Sequence, residues 1–141
     1  PPSMLEAIDA FCERTGQEKP ENDAQVIRLI FESLALRYRQ VLEDLDRIAT
    51  HPIERLHIIG GGSKNRLLNQ LTANAIGRKV IAGPSEATAI GNVMIQAMAA
   101  GIVSSLQEMR SIIHASVETE EFAPELVAEW EEAYHKFVTL K

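Results

Sequence analysis

The chain has a single cysteine in 141 residues, so no disulfide within the chain holds it together. That scarcity fits a reducing cytoplasm. Cys12 lies between Phe11 and Glu13 on a helical pattern, where a free thiol acts as a small buried hydrophobe. Cationic side chains are also in deficit: 14 Lys and Arg against 20 Asp and Glu, for a formal charge of −6. This balance excludes nucleic acid or an anionic membrane as the main partner, because both select basic faces. No apolar run approaches the roughly 20 residues that a membrane helix needs. Neither a basic segment nor an apolar one opens the chain, which starts Pro1-Pro2-Ser3-Met4 without an initiator methionine. The opening reads as cut from something longer. Hydrophobic residues make up 45%, enough for one domain with a real core, and the length is too short for two.

Hydrophobic periodicity predicts a helix-rich chain. Leu5, Ile8 and Phe11/Cys12 mark a short amphipathic helix over 4–14, with Ser3 as its cap and Gly16 past its end. Pro20 breaks the polar stretch that follows. Asn22 and Gln25 have capping-box spacing. Beyond them Ile27, Ile30/Phe31, Leu34, Tyr38, Val41, Leu45 and Ile48 recur at three- and four-residue steps. They predict a helix to about Thr50, on the order of 40 Å long. Arg28, Glu32, Arg37, Arg39, Glu43 and Arg47 form its solvated face, with Glu43 and Arg47 spaced for an ion pair.

The texture changes at residue 55. Leu56–Ile59 reads as a strand stopped by Gly60-Gly61-Gly62, and Ser63 as the cap of a helix with Leu67/Leu68, Leu71 and Ala75/Ile76 on its apolar face. Gly77 closes that helix, and Lys79–Ala82 is a second strand turned by Gly83-Pro84. Strand, helix and strand make a βαβ unit, expected to be parallel and right-handed. Ser85 opens a helix of small residues that runs to Gly101. Gly91, costing about 1 kcal/mol inside it, calls for a close-approach reason. Ser104 and Gln107 repeat the capping-box spacing, 117–123 reads as extended, and a last helix from Pro124 carries Leu126/Val127, Trp130, Ala133/Tyr134 and Phe137/Val138. That aromatic stripe reads as core, not as a base-stacking platform. The fold class is therefore α/β, a βαβ unit in a helix-rich surround. Three parts follow: a helical segment over 1–54, a ligand-binding core over 55–101 and a helical end over 102–141. Two parallel strands cannot make a stable sheet alone, so further strands are expected outside the chain. An exposed sheet edge invites self-association.

Chemistry-bearing residues are few. His51, His57, His114 and His135 have no metal-site spacing, and no metal ligands are assigned. Asp9, Asp23, Asp44 and Asp46 fall on or beside helical patterns at solvated positions, so none is a catalytic base. Glu86 meets a helix N-terminus, where a carboxylate is favourable; its other reading is an indirect role near a nucleotide. Lys64 either attracts phosphate or faces solvent. The informative feature is the strand, the run Gly60-Gly61-Gly62-Ser63-Lys64-Asn65 and the helix after it. Three glycines let bare backbone approach a flat or anionic ligand, and the helix presents free N–H groups. The same glycines also suit a purely structural turn. No Gly-Lys pair occurs, which excludes a P-loop. Gly60 and Gly62 begin a Gly-x-Gly-x-x-Gly pattern that fails at Asn65, and Val80-Ile81-Ala82-Gly83 lacks the acid that binds ribose, so the Rossmann reading is set aside.

Taken together, Leu56 to Gly101 resembles the C-terminal signature of the FGGY carbohydrate kinases. The matching residues are Gly60-Gly61-Gly62-x-x-Asn65, Leu68-Asn69-Gln70, Gly77-x-x-Val80 and Glu86-Ala87-x-Ala89-Ile90-Gly91. The fuller wording His57–Gly62, Leu67–Leu71 and Val80–Pro84, with Phe31–Tyr38 in the long helix, resembles the branch of that family that acts on L-rhamnulose. The resemblance implies part of an actin-like, ribonuclease-H-like ATPase domain, with ATP lying against it in a cleft. It implies that Gly61 and Asn65 sit at the adenosine and that Gly60 and Gly62 complete the loop. The implied reaction moves the γ-phosphoryl of ATP, with Mg2+, to a sugar hydroxyl and releases ADP. The catalytic aspartate, the metal ligands and the sugar pocket are expected upstream, in the missing N-terminal part of the same kinase. No catalytic residue is expected here, and no Asp-Gly-x-Ser/Thr motif occurs. Fuculose or xylulose is the alternative sugar, and a non-catalytic nucleotide-binding or interaction domain is the alternative class.

Overall fold

A computed structural model describes residues 3–140. Pro1 and Pro2, on which the reading of the N-terminus rests, lie outside the described residues. Helix α1 (Met4–Thr15) starts on a complete capping box, with Ser3 Oγ accepting from Glu6 N–H and Glu6 accepting from Ser3 N–H, and ends at Gly16 in the left-handed conformation. Cys12 is buried, as a small hydrophobe should be.

Helix α2 (Asp23–Ile48) is capped by Asn22, which accepts from Gln25 N–H; the Gln25 amide reaches back one residue further than a capping box requires, to Glu21 N–H. Three expectations about α2 are corrected. The heptad-spaced stripe Ile27, Leu34, Val41 and Ile48, with Tyr38 and Leu45 beside it, is largely exposed. The buried line is instead Ala35, Leu36 and Leu42, which meets the next helix. Small Ala35 permits the close approach that a larger residue would block. Glu43 does not pair with Arg47, which takes Asp44 at 2.7 Å. Nor is Arg39 a solvated-face residue. Its guanidinium bonds Glu43 at 3.0 Å and Glu131 at 2.7 Å and lies 3.9 Å from the Tyr134 ring centroid.

Strand β1 (Arg55–Ile58) pairs in parallel with β2 (Lys79–Ala82), with Leu56 opposite Val80 and Ile58 opposite Ala82. Between them runs α3 (Arg66–Ile76), so the βαβ unit forms as its pattern predicts. A third strand, β3 (Glu120–Phe122), joins β2 antiparallel within the stretch read as extended. The sheet order is β1-β2-β3, which leaves β2 central. One face, with Leu56, Ile58, Val80, Ala82 and Phe122, packs with Ala73 and Ile76 of α3 and Leu42 of α2. The other face shows Arg55, His57 and a Lys79–Glu121 ion pair at 2.8 Å. Arg78 clamps α2 to the end of α3 by a two-pronged bond to Asp46 and a third bond to the Ile53 carbonyl. Asp46 is therefore structural, and Arg78 holds its carboxyl below the usual carboxylate range.

Helix α4 (Ala87–Ala99) starts two residues later than Ser85, with no side-chain cap. It buries no residue, its main neighbour is α5 (Leu106–Ser116), and a Cβ on Gly91 meets nothing within 4 Å. The close approach expected at Gly91 is thus not made within the described residues. Ser105, not Ser104, caps α5, because Glu108 is the residue whose side chain reaches back, to Ser104 N–H and Oγ. Helix α6 (Val127–Thr139) begins three residues after Pro124, and Leu126 and Val127 are exposed. Left-handed Leu126 redirects the chain before the helix starts. Trp130 and Tyr134 join Ala35, Leu36, Leu71 and Ala75 in the core, with Phe137 and Val138 packed against them.

Tyr134 donates to Glu43 at 2.7 Å, so the stack of Arg39 on Tyr134 is locked to α2 at both ends. Burial pushes the phenol up to about 12, and the Glu43 carboxylate adds to the shift. Burial also pushes the Glu43 carboxyl up, but bonds from Tyr134 and Arg39 together outweigh it and hold the group below its usual range. The phenol's contribution to stability is therefore complete below pH roughly 10 and disappears as pH rises towards its folded value. The carboxylate's contribution is complete above pH roughly 4.3 and is lost as pH falls through its lower folded value. Tyr134→Phe should cost about 1 kcal/mol at neutral pH, with little more from a partly exposed partner. In urea titrations the gap between wild type and variant should close between pH 10 and about 12. Curves that stay parallel across that range refute this account of the phenol.

Candidate functional site

Ile58, the last residue of β1, hands over to a tight turn whose first member needs glycine. Gly60 has φ 78° and ψ −165°, a region that L side chains avoid. Its N–H donates to the Pro84 carbonyl at 3.0 Å, and Gly83 N–H donates to the Ile58 carbonyl at 2.8 Å. These bonds continue the β1–β2 ladder past the strand ends and fasten the two loops together. Gly61–Lys64 then forms one turn of 3-10 helix.

Ser63 does not cap α3. Its N–H and Oγ both bond to the Gly60 carbonyl, at 3.0 and 2.8 Å. The cap is Asn65, whose Oδ1 accepts from Leu68 N–H at 3.1 Å. The 3-10 turn consumes the residues that a direct strand-to-helix turn would have left for Ser63. Asn65 Nδ2 makes no hydrogen bond to a described residue, so one face of the amide is committed to the helix and the other is available. A Cβ built on Gly61 meets nothing within 4 Å, and one on Gly62 reaches only Ile58 at 4.0 Å. Gly60, Gly61, Gly62 and Asn65 thus come together in one turn, at the carboxyl ends of both parallel strands. Ligands of open α/β sheets bind at such strand ends.

Beside the turn lies an open cleft of about 640 Å³. Ser63 and Lys64 form one wall, Gly83–Glu86 and Ile90 another, and Glu118–Glu120 a third. Lys64 faces this cleft. The wall at Glu118–Glu120 was not among the sequence candidates. Arg66, just after the cap, binds Glu120 at 2.6 Å and thereby ties β3 to the start of α3. The pairing of β3 with β2 brings this wall beside Ser63 and Lys64, whereas Gly60, Gly61, Gly62 and Asn65 do not line the cleft, and no local motif announces the wall. Glu86 sits at the start of α4, where the helix dipole favours its charge. Among the described residues no cluster of His, Cys, Asp or Glu is arranged to hold a metal ion. No described helix is long and apolar enough to cross a membrane.

Residues 1–100 match the C-terminal domain of the FGGY family of carbohydrate kinases. The chain belongs to that family. Curated relatives include a rhamnulokinase of Bacteroides thetaiotaomicron, 56% identical over 137 residues, which are 97% of this chain and 28% of the relative. A rhamnulokinase of Klebsiella pneumoniae is 44% identical over 124 residues, 88% of this chain and 25% of the relative. One of Oceanobacillus iheyensis is 42% identical over 123 residues, 87% and 26% of the two chains. This FGGY chain therefore spans about a quarter of the length of the curated relatives it matches. Among solved structures, a xylulose kinase from Rhodospirillum rubrum aligns with a TM-score of 0.70 at 23% identity, covering 89% of this chain and 26% of that one. That likeness shows the fold alone: the α/β arrangement expected from the sequence is shared with the matching quarter of that chain.

Gly60 and Asn65 have separable structural roles in the turn, which predicts how substitutions divide. Gly60→Ala should destabilise the protein by about 1–3 kcal/mol, because its backbone must leave the glycine-only region. Asn65→Ala should cost about 1 kcal/mol through the lost cap, whereas Asn65→Asp should cost far less because the carboxylate still caps. Equal losses for Asn65→Ala and Asn65→Asp in thermal unfolding speak against the cap.

Proposed function

We propose that the full-length protein is an ATP-dependent sugar kinase that transfers the γ-phosphoryl of ATP to L-rhamnulose and releases ADP. In this reading the present chain supplies the wall against which adenosine packs. Gly61 and Gly62 offer backbone without side chains, Gly60 sets the turn, and the free half of the Asn65 amide supplies a donor to the nucleoside. The observation that carries the sugar is the 56% identity to a rhamnulokinase over nearly the whole chain. The xylulose kinase likeness bears on fold alone at 23% identity. The same reading puts the protein in cytoplasmic L-rhamnose metabolism.

Phosphoryl transfer is mainly positioning and electrostatic stabilisation, so a fixed adenosine helps to place the far end of the nucleotide. Mg2+ belongs to that chemistry as the bridge between phosphates. The described residues offer no acidic ligand set for it, so no step through the ion is assigned to this chain. The base that orients the sugar hydroxyl likewise has no candidate here. The remainder of the kinase is the natural cover for the exposed apolar stripe of α2 and for the uncovered α4, and supplies the strands that extend the sheet beside β1.

The Gly61 site permits a clean test because a Cβ there meets nothing in the fold. In the full-length enzyme Gly61→Val should leave the melting temperature within a few degrees while raising the KM for ATP about tenfold or more and that for sugar little. An unchanged ATP response sinks the adenosine role and favours a non-catalytic domain. A panel of rhamnulose, fuculose and xylulose tests the sugar. The 141-residue chain alone should form no ADP in the presence of sugar, because positioning groups are needed on both sides of the cleft. Sugar-dependent turnover by the pure chain reveals a base among the carboxylates assigned here to structure.

A further inference from the structure

Asn69, like Thr72, is a fully buried polar residue of α3, with no exposed surface. Its Nδ2 donates to the Ser63 carbonyl at 2.8 Å. Its Oδ1 is buried and has no hydrogen-bond partner among the described residues. The orientation is fixed by chemistry, since a carbonyl acceptor requires the amide's donor and not its oxygen. A buried acceptor left unpaired is costly, and an apolar side chain of similar size would avoid that cost. The amide therefore has to be accounted for by what its N–H groups do. They hold the carbonyl of the residue at the centre of the 3-10 turn, from the interior of the helix that follows.

Besides the turn's own bond from Asn65 N–H to the Gly62 carbonyl, three sets of bonds fix this turn. Gly60 is tied to Pro84, Ser63 is tied back to Gly60, and Ser63 is tied forward to Asn69. The first two are made within the loops themselves. The third alone connects the turn to a side chain buried in the core. Without it, Gly61–Lys64 remains joined to α3 only through Asn65, by its backbone bond to the Gly62 carbonyl and its side-chain cap.

We propose that Asn69 is a positioning residue for nucleotide binding: it clamps the glycine turn so that Gly61 and Asn65 meet adenosine in one fixed geometry. This rests on the adenosine reading given above. Asn69 touches no ligand in this scheme and acts only through Ser63.

The test uses the full-length kinase with ATP and L-rhamnulose, and compares Asn69→Asp, Asn69→Ser and Gly61→Val. Asn69→Asp keeps the shape and removes the donor. Asn69→Ser introduces no buried charge, and its hydroxyl can bond to the carbonyl four residues back, as Thr72 does to Leu68 at 2.7 Å. It therefore decides the matter if the aspartate variant does not fold. The expected result is a rise of about tenfold in the KM for ATP, with the KM for sugar and kcat within about threefold. A merely structural role lowers the melting temperature and the active fraction, hence apparent kcat, and leaves the KM for ATP unchanged. That outcome for a folded Asn69 variant, with Gly61→Val raising the KM, overturns the clamp and leaves the adenosine reading standing. If Gly61→Val also leaves the KM unmoved, the adenosine reading falls and the clamp with it.

Discussion

Helix α3 is enclosed over most of its length, and everything around it is arranged to meet that constraint. Residues Asn69 and Leu71–Ile76 are all buried, with the sheet on one side and α2 and α6 on others. A helix hidden this way is expected to be apolar all round. Instead it carries Asn69, Thr72 and Asn74, and each must find a partner inside. Thr72 turns back on its own helix, to the Leu68 carbonyl. Asn74 accepts from Gln70 and from Glu125 N–H, which anchors the segment leading into α6. Asn69 reaches back to the glycine turn. The polar groups of one buried helix thus fix the chain before it and the chain well after it.

The site follows from this arrangement. A parallel βαβ unit places both strand ends on one side of the sheet, and the loops leaving them must lie side by side. The bonds between Gly60 and Pro84 and between Gly83 and Ile58 make that adjacency rigid. Because α3 is buried from Leu71 to Ile76 and its Asn69 bonds Ser63, the turn before it has a firm base, while a Cβ on Gly61 meets open space. Rigid backing with an unobstructed front is what a flat ligand requires from bare backbone.

Local signals in the sequence carried most of the helices, two strands and the candidate loop. Ser3 with Glu6, Gly16 and Gly77 act where local rules place them, since a cap depends on neighbours a few residues away. Failures share a different cause. Asn65 replaces Ser63 as cap because a 3-10 turn intervenes, and the choice between the two depends on Gly60 adopting a backbone set by Pro84, 24 residues later in the chain. Strand β3 is short and acidic, with Glu120 and Glu121, and gains its strand character from β2 and from Arg66 and Lys79. Periodicity also misassigned the face of α2, since the stripe with the strongest repeat is the exposed one and the buried line uses alanine where α3 comes close.

The glycines themselves separate what the fold requires from what a ligand requires. Gly60 and Gly77 hold positive φ, so the backbone alone accounts for them. At Gly83 an added Cβ lies 3.2 Å from the Ile59 side chain, so packing accounts for that one. Gly61 has neither a left-handed backbone nor a neighbour within 4 Å, and a glycine there costs chain entropy on folding with no return inside the described fold. Its reason therefore lies outside the packing of the described residues. Gly91 shares both traits inside α4, so what sets Gly61 apart is its place in the turn on which the nucleotide reading leans.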